Sequence, residues 1–315
     1  MGSSLESSRR FYENTVRPMI NEYFSEYEDR IAVGLSGEGS DCFGYDDFIS
    51  RDHDFGTGVC LWITDEDYEK FGAELAAKYE ELVDAVPNNN LSVRLRQRRG
   101  VMTIHDFYSS ILWIDCDTEN ALITDSDWQN MDHNCIATAV NGEVFRDDLG
   151  TFTAYREKLL EYYPDHIWRQ RLAEGLHKYA LALQVNYARC MARDDTVAAR
   201  LCHMEGLEAA MELYFLLKKQ FKPYYKWTYR RLAELDNDGI FSQQIKRLAE
   251  EPGDYSVWKG KGYHPNYLNL SDPLVVVAER VAASIVKMMN ELGLTEGKDP
   301  YLERYVDEVM KIERE

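Results

Sequence analysis

The sequence predicts an α+β protein, with a small mixed-sheet domain over residues 1–150 followed by an all-α helical bundle over residues 151–315. Three observations carry that expectation. Arg30-Ile31-Ala32-Val33-Gly34-Leu35 and Gly58-Val59-Cys60-Leu61-Trp62-Ile63 are short apolar runs of strand length inside the first half. From Phe152 onward the apolar residues keep helical spacing, so the change of pattern places the boundary near Gly150. The 315 residues, 45% hydrophobic and 29% charged, have the make-up of a soluble globular chain of one large or two ordinary domains.

Along the chain, Phe11, Val16, Met19, Ile20 and Phe24 give residues 7–28 a helical period, interrupted by Pro18. The strand ending at Leu35 feeds directly into Ser36-Gly37-Glu38-Gly39-Ser40, whose glycines permit a tight turn. After the strand ending at Ile63, Thr64 is suited to cap a helix running to about Val86. Pro87-Asn88-Asn89-Asn90 is a loop, and Leu91-Ser92-Val93-Arg94-Leu95-Arg96 alternates as a strand does. Val101-Met102-Thr103-Ile104 is a further strand candidate. Helices are expected at 152–162, 165–192, 194–220, 226–236, 242–250 and 272–292, with a long loop over 252–273.

The formal net charge of −19 opposes non-specific binding to DNA, because nucleic-acid affinity rests on Lys and Arg neutralising phosphates. A cationic small molecule suits the acidic surface better. Two local basic runs stand out, Arg94, Arg96, Arg98 and Arg99, and the segment from Lys218 to Arg231. No apolar run approaches the ~20 residues of a membrane span, and Met1-Gly2-Ser3-Ser4-Leu5-Glu6 lacks a secretory pattern, so a cytoplasmic protein without membrane attachment is expected. Six widely spaced cysteines without a CxxC pair are read as free thiols, and the seven histidines show no zinc-binding spacing. GxSxG, GxGxxG and a Walker A lysine are all missing from the sequence.

The chemistry concentrates in Gly39-Ser40 and Asp52-His53-Asp54. In an extended segment the period of two sends Asp52 and Asp54 to one face and His53 to the other. Two adjacent carboxylates are ligands for a hard cation such as Mg²⁺, whose remaining positions go to water and phosphate oxygens. A glycine turn nearby offers backbone N–H groups to a phosphorylated ligand.

A Gly-Ser turn, eleven residues, an Asp-x-Asp pair and a following strand together resemble the signature of the polymerase-β-type nucleotidyltransferase superfamily. The helical half resembles that of kanamycin- and streptomycin-type antibiotic nucleotidyltransferases, and of an uncharacterised bacterial family with the same two-part layout. The landmarks there are Asn186-Tyr187-Ala188-Arg189, Arg193-Asp194-Asp195 and Leu216 to Trp227. The resemblance implies a Mg²⁺-dependent enzyme that moves a nucleoside monophosphate from an NTP co-substrate to an acceptor hydroxyl and releases pyrophosphate. It implies that Gly39 and Ser40 contact phosphate and that Asp52 and Asp54 bind metal. The acceptor would be small, with a tRNA end or a protein side chain as the alternative, and a non-catalytic nucleotide or metabolite sensor is a further alternative.

The superfamily usually adds a third carboxylate from a neighbouring strand. The strands expected at Leu91–Arg96 and Val101–Ile104 contain none, which leaves Asp106, Asp115 or Asp117, or a base from the helical half. Glu205, Glu208 and Glu212 recur at helical spacing, and Glu205 ranks first there because Leu201, Met204 and Leu207 surround it in sequence. Lys226, between Tyr225 and Trp227, and Arg230 are the candidates for triphosphate contact.

Overall fold

The computed structural model describes residues 4–47, 49, 56–87, 89, 91–260 and 269–311. The chain forms two compact units, Met1–Tyr162 and Tyr163–Glu315. The first is α/β in content and the second helical, as the two-part pattern predicts.

The first unit opens with helix α1 (Ser4–Phe11), which runs without a break through a π-helical stretch into α2 (Arg17–Tyr23), where Pro18 directly follows the π-helical stretch. Strand β1 (Ala32–Leu35) pairs antiparallel with β2 (Cys60–Ile63), in a register that sets Val33 opposite Leu61. After β2 the Thr64 side chain caps α3 (Asp65–Asp67), which continues through a π-helical stretch into α4 (Ala73–Asp84). Helix α5 (Val93–Arg98) leads into β3 (Gly100–Thr103), parallel to β2. Three helices follow, α6 (Ile104–Leu112), α7 (Asp125–Asn130) and α8 (His133–Ala139), before β4 (Glu143–Arg146) and α9 (Thr151–Leu160). The sheet order is β3-β2-β1-β4, with β4 antiparallel to β1 and a register shift between Val33 and Gly34.

The central strands β1 and β2 read as unbroken apolar runs because both of their faces are covered. Val33, Leu61 and Ile63 join Phe11, Val16, Ile20, Leu75 and Tyr79 in one cluster. On alternate positions Trp62 turns to the other face, where its ring stacks on Phe152 at 3.8 Å and meets Phe107 edge-on at 5.2 Å. Phe152 lies on α9, beyond Gly150, and its carbonyl accepts a bond from the Tyr108 hydroxyl at 3.1 Å. Helix α9 therefore packs within the first unit, and the division between units falls after Tyr162.

One expected element changes type. Leu91–Arg96 is not a strand, because Ser92 accepts a bond from the Leu95 N–H at 3.1 Å and caps α5. Leu95 is buried while Val93 stays exposed, and Arg96 binds Glu80 and, at 2.7 Å, Asp84. Six residues of alternating Leu, Val and Arg fit either period, and the cap with good helix formers decides for the helix.

The second unit contains α10 (Asp165–Tyr179), a π-helical stretch, α11 (Tyr187–Ala192), α12 (Thr196–Leu217), α13 (Tyr225–Leu235), α14 (Ile240–Glu250), α15 (Pro273–Glu291) and the short α16 (Val306–Val309). Buried polar side chains fasten the helices to one another. Trp168 Nε1 donates to the Leu216 carbonyl at 2.9 Å, and the Tyr179 hydroxyl donates to Ala278 at 2.7 Å. Fully buried Asp272 caps α15 and accepts bonds from Tyr187 at 2.9 Å and Trp258 at 2.7 Å. Those bonds anchor the first part of the loop expected over 252–273; residues 261–268 lie outside the described residues. No helix among the described residues is long and apolar enough to cross a membrane.

All six cysteines are free thiols; Cys42, Cys60 and Cys116 are buried, and Cys135, Cys190 and Cys202 are partly exposed. Burial, followed by the neighbouring Cys190, pushes the Cys202 thiol up to about 11. Labelling of the native chain with a thiol reagent at mildly alkaline pH is expected to modify Cys135, Cys190 and Cys202 slowly and to leave the other three until denaturant is added. Peptide mapping that finds Cys42 or Cys60 modified as early as Cys190 would contradict this burial pattern.

Candidate active site

The strand β1 ends at Leu35, and the chain turns at once around two glycines. Gly37 has φ +107° and Gly39 φ +132°, both in the region that favours glycine. Asn141 holds the first half of this turn, accepting from the Gly37 N–H at 2.8 Å and donating to the Gly37 carbonyl at 2.8 Å. The Ser36 hydroxyl donates to the Asn141 carbonyl at 3.0 Å, and Arg156 donates to that same carbonyl at 2.9 Å. Gly142, next in the chain, has φ +63°, and a Cβ there would sit 1.9 Å from the Leu35 carbonyl oxygen. The Asn-Gly pair is thus what lets β4 approach the end of β1.

The second half of the turn is held by Arg99, the residue between α5 and β3. Arg99 is 3% exposed at its side chain and donates from Nη2 to Asp41 Oδ2 at 2.8 Å. The other Asp41 oxygen accepts from the Cys42 N–H at 3.0 Å. The Ser40 carbonyl accepts from the Tyr45 N–H at 2.8 Å, closing a compact loop. Arg98, next to Arg99, pairs with Glu38. Burial pushes the thiols of Cys42 and Cys60 up, with Arg99 opposing it in both cases, so at neutral pH both are uncharged.

The candidate site residues fall as follows. Gly39 and Ser40 form the turn just described. Asp52 and Asp54, the implied metal ligands, lie outside the described residues, as does His53. As a donor set, two carboxylates fit Mg²⁺ chemically. Among the described residues no group of three or more His, Cys, Asp or Glu side chains is placed to hold a metal ion.

Asp106 sits in the first turn of α6, a helix that packs beside Gly37 through Phe107 and Ile111. Its carboxylate is 72% exposed and lies 3.7 Å from His105 Nδ1. His105 Nε2 meets Asp115 at 2.9 Å, and that hydrogen bond raises the histidine's pKa. Asp117 is engaged locally, accepting from the Asn120 N–H at 3.1 Å.

In the helical unit, Lys226 and Arg230 lie one turn apart on α13, both exposed, and Arg230 Nε is 3.5 Å from Glu234. Glu205 is exposed on α12. The apolar surroundings expected of it are not there, because Leu201 and Met204 are themselves 69% and 46% exposed. Lys222 instead gathers the neighbouring carboxylates, at 3.2 Å from Glu212 and 3.6 Å from Glu208. Lys219 lies over the Trp168 ring at 4.5 Å and Lys218 over the Tyr214 ring at 5.6 Å, so three of the lysines of this run have structural partners.

Sequence reasoning missed Arg99, Asp41, Asn141 and Gly142 as parts of this site. Arg99 was grouped with a basic run, and only its place at the start of an apolar strand marks it as an inward arginine. Asn141-Gly142 is a turn dipeptide legible in the sequence, but its contact with Gly37, over a hundred residues away, is not.

Residues 128–228 match the model of a family described as a domain of unknown function (DUF4037). The matched stretch runs from α7 into α13 and includes Asn141, Gly142, Glu205 and Lys226, but not Gly39, Ser40 or the two aspartates. No curated protein matches the chain. No solved structure matches it.

Proposed function

We propose that this chain is a metal-dependent nucleotidyltransferase that moves a nucleoside monophosphate from an NTP to a hydroxyl of a small, cationic acceptor and releases pyrophosphate. The observation that carries the reading is the Gly39-Ser40 turn, fixed from two sides at the end of β1 and followed in sequence by Asp52-His53-Asp54 and the antiparallel strand β2. A backbone held in this way offers N–H groups to phosphate oxygens without first having to be ordered. Asp52 and Asp54 would hold Mg²⁺, which supplies charge neutralisation on the phosphate oxygens when bound. Lys226 and Arg230 would add positive charge against the triphosphate tail, and Asp106 or Glu205 would take the proton of the acceptor hydroxyl.

A small acceptor is favoured over tRNA by the arginine run. Arg96 pairs with Glu80 and Asp84, Arg98 with Glu38 and Arg99 with Asp41, so three of the four charges are already neutralised by carboxylates and the run does not form a basic surface. One observation supports a second reading: β3, parallel to β2, is Gly100-Val101-Met102-Thr103 and carries no carboxylate. A protein that binds nucleotide without turning it over, as a sensor, accords with that.

Calorimetric titration of each NTP with and without Mg²⁺, beside a pyrophosphate-release assay over a panel of aminoglycoside-like acceptors, tests the proposal. Saturable Mg²⁺-dependent NTP binding with acceptor-dependent pyrophosphate release is expected. Binding without release on any acceptor favours the sensor, and failure of every NTP to bind in the presence of Mg²⁺ overturns both readings.

A further inference from the structure

We propose that Asp41, locked by the buried guanidinium of Arg99, is a positioning residue that sets the Gly39-Ser40 backbone for a polyphosphate. The inference rests on the function proposed above and adds a pair of residues that the signature does not contain.

The first argument is electrostatic. A buried arginine stays protonated and must be paired. Asp41 is the carboxylate at 2.8 Å, while Cys42, whose sulfur is 3.3 Å from the same nitrogen, is neutral because burial pushes its thiol up. A buried ion pair is a weak device for stability alone, since an apolar pair of similar volume serves as well or better. Its value here is geometric.

The second argument is steric. A Cβ on Gly39 would stand 2.3 Å from Asp41 Oδ1. The carboxylate therefore occupies the space that a side chain at position 39 would fill, and the φ of +132° at Gly39 and the placement of Asp41 require one another. With one oxygen on Arg99 and the other on the Cys42 N–H, the carboxylate cannot rotate without breaking a bond.

The third argument concerns the ligand. An unneutralised carboxylate one residue after Ser40 would repel a polyphosphate at the turn. Arg99 removes that charge while remaining 3% exposed, so it offsets Asp41 without itself presenting a surface for the anion. On the opposite flank Asn141 fixes Gly37 with uncharged bonds, adding no negative charge. The turn is thereby both rigid and tolerant of an anion.

The test compares wild type, Arg99→Met and the double variant Asp41→Leu/Arg99→Met. The double variant leaves no buried charge unpaired and is expected to keep more stability than either single change, and urea unfolding checks that it folds. Each protein is titrated with inorganic tripolyphosphate, with the Mg²⁺–NTP that wild type binds best, and with the matching NMP. The expected result for the folded double variant is a loss of about tenfold or more in affinity for tripolyphosphate and NTP, the scale of one charge-assisted hydrogen bond, with NMP affinity changed less than threefold. Arg99→Met, which leaves the carboxylate bare, should lose at least as much. Equal weakening of NMP and NTP binding, or an unchanged tripolyphosphate affinity in the folded double variant, overturns the inference while leaving the nucleotidyltransferase reading intact. A wild type that binds neither tripolyphosphate nor any NTP overturns that reading and this inference together.

Discussion

Replacing Gly142 with alanine is expected to destabilise the first unit by roughly 2–5 kcal/mol, adding a left-handed backbone penalty of about 1–2 to an overpacking penalty of about 1–3 kcal/mol. The added Cβ would meet the Leu35 oxygen at 1.9 Å, the Leu35 carbonyl carbon at 2.9 Å and the Ser36 Cα at 3.1 Å. All three are backbone atoms, so no rotamer change relieves the contact. The strands β1 and β4 must separate, and the Asn141 bonds to Gly37 go with them. Gly150 supplies the control: it has φ +78°, and a Cβ there meets nothing within 4 Å. Gly150→Ala should therefore show the conformational penalty alone. Urea unfolding of the full chain, followed by fluorescence of buried Trp62 and Trp128 and by circular dichroism, measures both. Equal losses in the two variants would mean that the close approach of β4 to the end of β1 is wrong.

Gly142 also shows where reading the sequence stops. The strands β1, β2 and β3 were legible because sheets covered on both faces are written as short apolar runs, and the helices of the second unit were legible from their period. Leu91–Arg96 misled because a six-residue segment holds too few turns to separate a period of two from one of 3.6, and the Ser92 cap outweighed the alternation. Strand β4 went unseen because all four of its residues are half-buried at the edge of the sheet, and Glu143-Val144-Phe145-Arg146 has neither a clean alternation nor an apolar run. At the candidate site the glycines were legible as a turn, since their conformational freedom is a property of the residue itself. The residues that hold the turn were not, because Arg99 is 58 positions from Asp41 and Asn141 is 104 from Gly37, and no local pattern encodes such a pairing. The apolar surroundings expected of Glu205 are absent for a related reason: apolar residues near it in sequence need not be buried, and Leu201, one turn before it on the same face, and Met204 share its solvent exposure.

The largest effect on function is expected from Asp52→Asn and Asp54→Asn. Each change keeps the size of the side chain and removes one negative charge, so it tests metal binding with little change in volume. If the two carboxylates hold one cation site, each variant forfeits several kcal/mol of transition-state charge stabilisation, about a thousandfold or more in kcat/KM for pyrophosphate release. Because the two act as a unit, the double variant should lose little more than either single one. Binding should follow the same logic, with Mg²⁺-dependent NTP affinity lost in both variants and the Mg²⁺-independent part retained. The pattern also separates an enzyme from a sensor. An enzyme shows wild-type turnover that both variants abolish, whereas a sensor shows Mg²⁺-dependent binding that both abolish and no turnover in any form. Wild-type Mg²⁺-dependent NTP binding that survives in both variants would place the cation on other residues, and the Asp-x-Asp pair would then be a solvated loop beside a turn built for some different ligand.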